Sequence, residues 1–158
     1  MDDAVVYDLV GTLPDADQWL RVSARLVAAV LLGAIVGIQR ELQSKPAGVR
    51  THALVTLGTA IFTLIPVEAG MQIGDLSRVI QGVATGIGFI GAGVILKINR
   101  EREVIGLTTA ATIWAATAVG VAVGLGHVVL AAMGVVLIWL VLAGFSALDS
   151  WITRRRAD

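Results

Sequence analysis

Hydrophobic residues along this chain gather into long unbroken runs instead of alternating with polar ones. Five runs stand out, at about residues 20–38, 51–67, 79–96, 107–125 and 128–148. Each is close to the ~17–25 residues that carry a helix across the hydrocarbon core. The pattern therefore predicts an all-α, polytopic membrane protein with about five transmembrane helices. The first run holds Arg21, Ser23 and Arg25 near one end, where arginines can snorkel toward the headgroups.

Composition supports lipid as the solvent. Of 158 residues, 56% are hydrophobic and only 15% charged, with a mean hydropathy of +0.84. A soluble domain carries about a quarter charged residues, and a chain of this size could not hide so much apolar surface from water. Formal charge sums to zero, so nothing steers nucleic acid toward it and no nucleic-acid partner is expected. The absence of cysteine excludes disulfides, thiolate metal sites and cysteine nucleophiles. His52 and His127 are the only histidines and lie far apart in sequence, which excludes a histidine-rich metal site.

The charges between the runs are asymmetric. Arg40, Lys45 and Arg50 follow the first run, Lys97, Arg100 and Arg102 follow the third, and Arg154, Arg155 and Arg156 follow the fifth. With five spans all three groups fall on one side. The acidic start, the 68–75 loop and the Gly126–His127 turn fall on the other. By the positive-inside rule this predicts a bacterial inner-membrane protein with its N-terminus outside and its C-terminus cytoplasmic. Residues 1–18 read as an acidic extracytoplasmic lead-in without the basic start of a cleavable signal, 19–150 as the transmembrane domain, and 151–158 as a short basic tail.

A shift of 58 residues aligns two stretches without gaps: Gly33, Ala34 and Val36 fall on Gly91, Ala92 and Val94, and Gly48, Thr51 and Ala53 on Gly106, Thr109 and Ala111. This suggests a parallel repeat of helices one-two and three-four, with the fifth added. The third run is dense in glycine, at Gly82, Gly86, Gly88, Gly91 and Gly93. Small residues at this spacing let helices approach closely, within one bundle or across a dimer; Gly120 and Gly124 share the spacing.

Polar residues collect at the run ends. Gln39, Arg40 and Glu41 close the first, Arg50, Thr51 and His52 open the second, Asn99 follows the third, and Thr108 and Thr109 open the fourth. Under the repeat these form one polar cluster at the cytoplasmic face. Such residues anchor and cap helix ends. The sharper reading is that Gly48–Thr51 and Gly106–Thr109 set two helix N-termini side by side, where amides and Arg50 would favour an anion. On the outer side Asp75 and Arg78 have the i, i+3 spacing of a salt pair, and Ser77 could cap the third helix. Asp75 with Glu68 is a weak candidate for a divalent cation. No nucleotide-binding loop, zinc motif, nucleophile elbow or triad is present, so the sequence does not argue for an enzyme.

These residues also carry a family resemblance. The segment from Gly33 through Gly37, Gln39, Arg40 and Glu41, then Lys45, Pro46, Gly48, Arg50, Thr51 and His52, resembles the MgtC/SapB family. So do Asp75, Ser77 and Arg78 running into Gly86, Gly88, Phe89, Gly91 and Gly93, and the stretch from Gly106 to Trp114. The resemblance covers nearly the whole chain after the lead-in. It implies an inner-membrane protein linked to adaptation to low magnesium and, in pathogens, to virulence through survival inside host cells. It further implies a non-enzymatic regulator of other membrane complexes, ATP synthase among them, without a resident cofactor. The residues show two departures. The family usually has Glu where this chain has Gln39, which puts a neutral amide in place of a carboxylate; Glu41 lies on a helix face about 200° away. Many members also carry a soluble cytoplasmic domain after the last helix, and this chain stops soon after Trp151.

Two functions compete at this stage. The first is a regulator acting through helix contacts with a larger complex, as a homo-oligomer such as a homodimer, with the glycine-rich third helix as its contact surface. The alternative is a transporter or channel for magnesium or another small ion, suggested by the repeat and the polar helix ends.

Overall fold

The first helix starts with a cap. The Asp15 carboxylate accepts a hydrogen bond from the Gln18 amide at 2.6 Å, and Asp17 adds negative charge to the first turn. Helix α1 consequently runs Ala16–Leu42, beginning ahead of its apolar run, because a polar capped turn carries no hydrophobic signal. A computed structural model describes residues 15–95 and 105–157, with the side chains of the last helix described as far as Gly144. The remaining helices are α2 (Val49–Glu68), α3 (Ile73–Ile95), α4 (Leu107–Gly124) and α5 (Val128–Ala157). No strand occurs among the described residues. Helices α1 to α4 are long and apolar enough to cross a membrane, and α5 has a shorter described apolar stretch, Val128–Gly144. The expectation of an all-α membrane protein with five helices therefore holds.

Helix α4 is the hub, packing against every other helix, while α1 and α2 form the most extensive pair. Their shared core is built from small and β-branched residues: Ala29 and Val36 of α1, Ala60 of α2, Val119 and Val123 of α4, and Ala131 and Val135 of α5. In lipid, helices gain little from hiding apolar surface, so close backbone approach and interhelical hydrogen bonds hold them together. Glycines supply the approach. A Cβ on Gly33 would stand 2.6 Å from the His52 carbonyl oxygen, and one on Gly37 would stand 2.5 Å from Val49 Cα. On α4, Gly120 and Gly124 let α2 come equally near, as their spacing predicts.

Threonines on the buried face of α2 complete the seam. The Thr56 hydroxyl lies 2.7 Å from the Ala29 carbonyl of α1 and 3.0 Å from the His52 carbonyl of its own helix, so its one proton is shared across the seam, whereas Thr59 and Thr63 bond back to their own helix. Thr56→Val keeps the shape, removes the interhelical bond and leaves the Ala29 carbonyl short of a partner. We expect a loss of about 0.6 kcal/mol, the average for such bonds in membranes, and no more than about 1.7 kcal/mol. Unfolding of the purified protein in mixed micelles checks it, and an unchanged midpoint would show that the bond contributes nothing.

Helix α3 differs from the others. None of its residues is buried, and a Cβ on Gly82, Gly86, Gly88 or Gly93 would meet nothing within 4 Å; Gly91 approaches only Ala110 Cβ, at 3.7 Å. Among the described residues the glycine-rich segment thus leaves its face open, and the tight crossings belong to Gly33, Gly37, Gly120 and Gly124 instead. Gly48 and Gly106, related by the 58-residue shift, are the N-caps of α2 and α4. Gly106 has φ +101, a conformation that favours glycine, and a Cβ there would stand 2.8 Å from the Val94 carbonyl oxygen.

Candidate functional site

Where α1 ends and α2 and α4 begin, polar side chains lie buried inside the bundle. Arg40, in the last turns of α1, is 2% exposed, and its Nη2 donates to the Thr109 hydroxyl of α4 at 2.9 Å. Its Nε–H is buried without a hydrogen-bond partner. Gln39 points elsewhere: its amide nitrogen donates to the Trp139 carbonyl of α5 at 3.3 Å, and its Oε1 is buried and unpartnered. The chain places His52 at 0% exposure on the first turn of α2. Its Nδ1 lies 2.9 Å from the Gly48 carbonyl oxygen. A carbonyl can only accept, so Nδ1 carries the proton there. Nε2 is buried with no hydrogen-bond partner.

The remaining predicted residues take outer positions. The Glu41 carboxylate accepts from the Val49 amide at 2.9 Å, so this exposed side chain caps α2 across the connecting turn. Arg50 and Thr108 are exposed and Thr51 is half-buried. Arg50 and Thr51 join Glu41 and Lys45 in lining a polar hollow of about 620 Å³ beside that turn. Asn99 lies outside the described residues. The cluster read from the helix ends is therefore brought together in part, with Gln39, Arg40 and Thr109 inside the bundle and Glu41, Arg50, Thr51 and Thr108 around it. The cation that reaches the start of α4 is Arg40, whereas Arg50 stays at the surface.

At the opposite end Asp75 and Arg78 do approach, at 3.8 Å, both well exposed. Ser77 does not cap α3, which starts earlier; its hydroxyl donates to the Gly74 carbonyl from inside the helix. Glu68 pairs with Arg25 at 3.6 Å and accepts from the Gln18 side chain at 2.7 Å. Each carboxylate of the weak cation candidate is thus matched to a cation of its own. Among the described residues no group of three or more His, Cys, Asp or Glu side chains could hold a metal ion.

Two contributors were not among the site residues named at the helix ends: His52, read there only as part of the polar start of the second run, and the Trp139 carbonyl. A backbone acceptor has no sequence signal, but His52 had one. His52, Thr56, Thr59 and Thr63 repeat at helical spacing and form a polar stripe on an otherwise apolar helix, and in lipid such a stripe faces the bundle interior.

A lipid-embedded helical bundle that buries a cluster of Arg, His, Gln and Thr side chains at one end defines the class: a polytopic membrane protein with a polar interior. Within that class the chain belongs to the MgtC family, which it matches over residues 26–151. It is 42% identical to Protein SrpB of Synechococcus elongatus over 153 residues, covering 89% of this chain and 84% of the relative. It is 40% identical to the putative magnesium transporter YhiD of Escherichia coli over 131 residues, 78% of this chain and 60% of that one. Protein MgtC of Salmonella typhimurium is 42% identical over 102 residues, 65% of this chain and 42% of the relative. The chain thus spans most of the first relative's length but well under two thirds of the other two. No solved structure gives a significant match.

Proposed function

We propose that this protein is a non-enzymatic regulator in the bacterial inner membrane, acting on a larger membrane complex during adaptation to low magnesium. Membership of the MgtC family supports the setting. The observation that carries the regulatory reading is the open face of α3, a 23-residue helix with none of its residues buried. Between it and α2 runs an apolar groove of about 570 Å³ lined by Leu54, Phe62, Val79, Gly82, Val83 and Gly86. A glycine-bearing face with nothing against it suits contact with another helix, in a complex of the ATP synthase type or in a homodimer. The predicted orientation puts the Arg40 end of the bundle at the cytoplasm, and the virulence role of the family would follow from the same regulation.

A second reading, transport of magnesium or another small ion, is favoured by the name of the Escherichia coli relative and by the polar interior near Arg40. Flux separates the two. Liposomes holding only the folded, purified protein are expected to take up magnesium no faster than empty liposomes. Saturable uptake that Asp75→Asn abolishes would make this a transporter and overturn the regulatory reading.

A further inference from the structure

We propose that the interior cluster at the Arg40 end is a binding site for a small inorganic monoanion, held by Arg40 and the first turn of α4. Two independent observations meet there. The first is the guanidinium itself, 2% exposed, with a buried Nε–H that has no hydrogen-bond partner. Among the described residues no carboxylate lies within 4 Å of it; the ion pairs there are Arg25–Glu68 and Arg78–Asp75. Burying a cation without a counter-charge costs several kcal/mol, and an arginine cannot shed that cost by giving up its proton.

The second observation is where Arg40 points. Its one described partner, Thr109, is the third residue of α4, an 18-residue helix whose N-cap Gly106 supplies no capping side chain and whose first turn holds no acid. Free amides and the positive end of the helix dipole are therefore concentrated beside a positive side chain. Each would disfavour the other unless a negative charge lay between them. At α2 the equivalent need is met within the chain, because the Glu41 carboxylate caps the Val49 amide; at α4 the described residues offer no such carboxylate.

The chemistry selects the ligand class. Arg40 and the first turn of α4 bring donors: the unpartnered Arg40 Nε–H, the amides of the first turn, and the Thr109 hydroxyl, which accepts from Arg40 and keeps its own proton to give. A metal cation is repelled by the same set. One guanidinium charge and about half a charge at the helix end balance a single negative charge, whereas a dianion would bring excess charge into a poorly solvated interior.

Thermal unfolding of the purified full chain in detergent tests this, in sodium gluconate at constant ionic strength with chloride replacing gluconate. The expected result is a saturable rise in unfolding temperature for the parent. Arg50→Gln should respond as the parent does, and Arg40→Gln should lose at least about tenfold in apparent affinity. Thr109→Val, which keeps the helix and removes one donor, should lose several-fold and serves if Arg40→Gln fails to fold. A parent that shows no saturable response, or an Arg40→Gln protein that responds like the parent, overturns the proposal. Saturation by phosphate without any by chloride overturns the assignment to a monoanion. The readout is independent of magnesium flux and of any partner, so its outcome stands apart from that of the regulatory reading.

Discussion

Gly120→Val is expected to destabilise the bundle by about 1–3 kcal/mol, toward the upper end of the range for overpacked sites. A Cβ at this position would stand 2.6 Å from the Thr56 carbonyl oxygen, 2.8 Å from Thr59 Cβ and 3.1 Å from Thr56 Cα. Most of that obstruction is backbone of α2, which cannot turn aside as a flexible side chain could. Valine's better helix propensity returns only about 0.4 kcal/mol. The two helices would have to separate, and separation reaches the polar cluster, since α2 carries His52 and α4 carries Thr109. Gly58→Val is the control. It makes the same chemical change on α2, but its Cβ meets nothing within 4 Å, so its effect should stay within about 0.5 kcal/mol. Unfolding both variants in mixed micelles beside the parent decides the matter. Equal stability of the two would falsify the close α2–α4 crossing.

The same crossing shows what was legible in the sequence. Helix number, order and approximate span followed from hydrophobicity, because lipid demands long apolar runs that few other structures need. The starts of α4 and α5 did too, at Leu107 and Val128, whereas those of α1 and α3 did not. Asp15 and the polar first turns of α1 and α3 lie ahead of the apolar runs, where capping decides the boundary. Glycine spacing identified Gly120 and Gly124 as packing positions, yet Gly82 and Gly86, with the same spacing on α3, pack against no described residue. A small-xxx-small pattern states that a helix can be approached closely and says nothing of what approaches it. The candidate site was legible in outline. Arg40 and Thr109 were marked by their places at helix ends, but only the fold shows that they touch. His52 was read only as part of the polar start of α2, and the four-residue step to Thr56 that turns it into the bundle went unused.

Those two kinds of glycine lead to a prediction opposite in sign to that for Gly120. Filling the open face with Gly82→Leu and Gly86→Leu together should leave the isolated protein folded, because a Cβ at either position meets nothing within 4 Å. Helix propensity favours the leucines by as much as about 0.8–1 kcal/mol each, so stability in micelles should hold or rise. Association should move the other way. Leucine side chains occupy the groove beside Leu54 and Phe62 and hold a second backbone away from α3. A contact that relies on glycine for close approach should then weaken at least tenfold, or about 1.4 kcal/mol. Cross-linking in native membranes and energy transfer between labelled copies in vesicles measure this directly. An unchanged association with the groove filled would mean that α3 faces only lipid, and the regulatory reading would lose the observation that carries it. Loss of association with stability retained would show that the glycines absent from the core are kept for a partner.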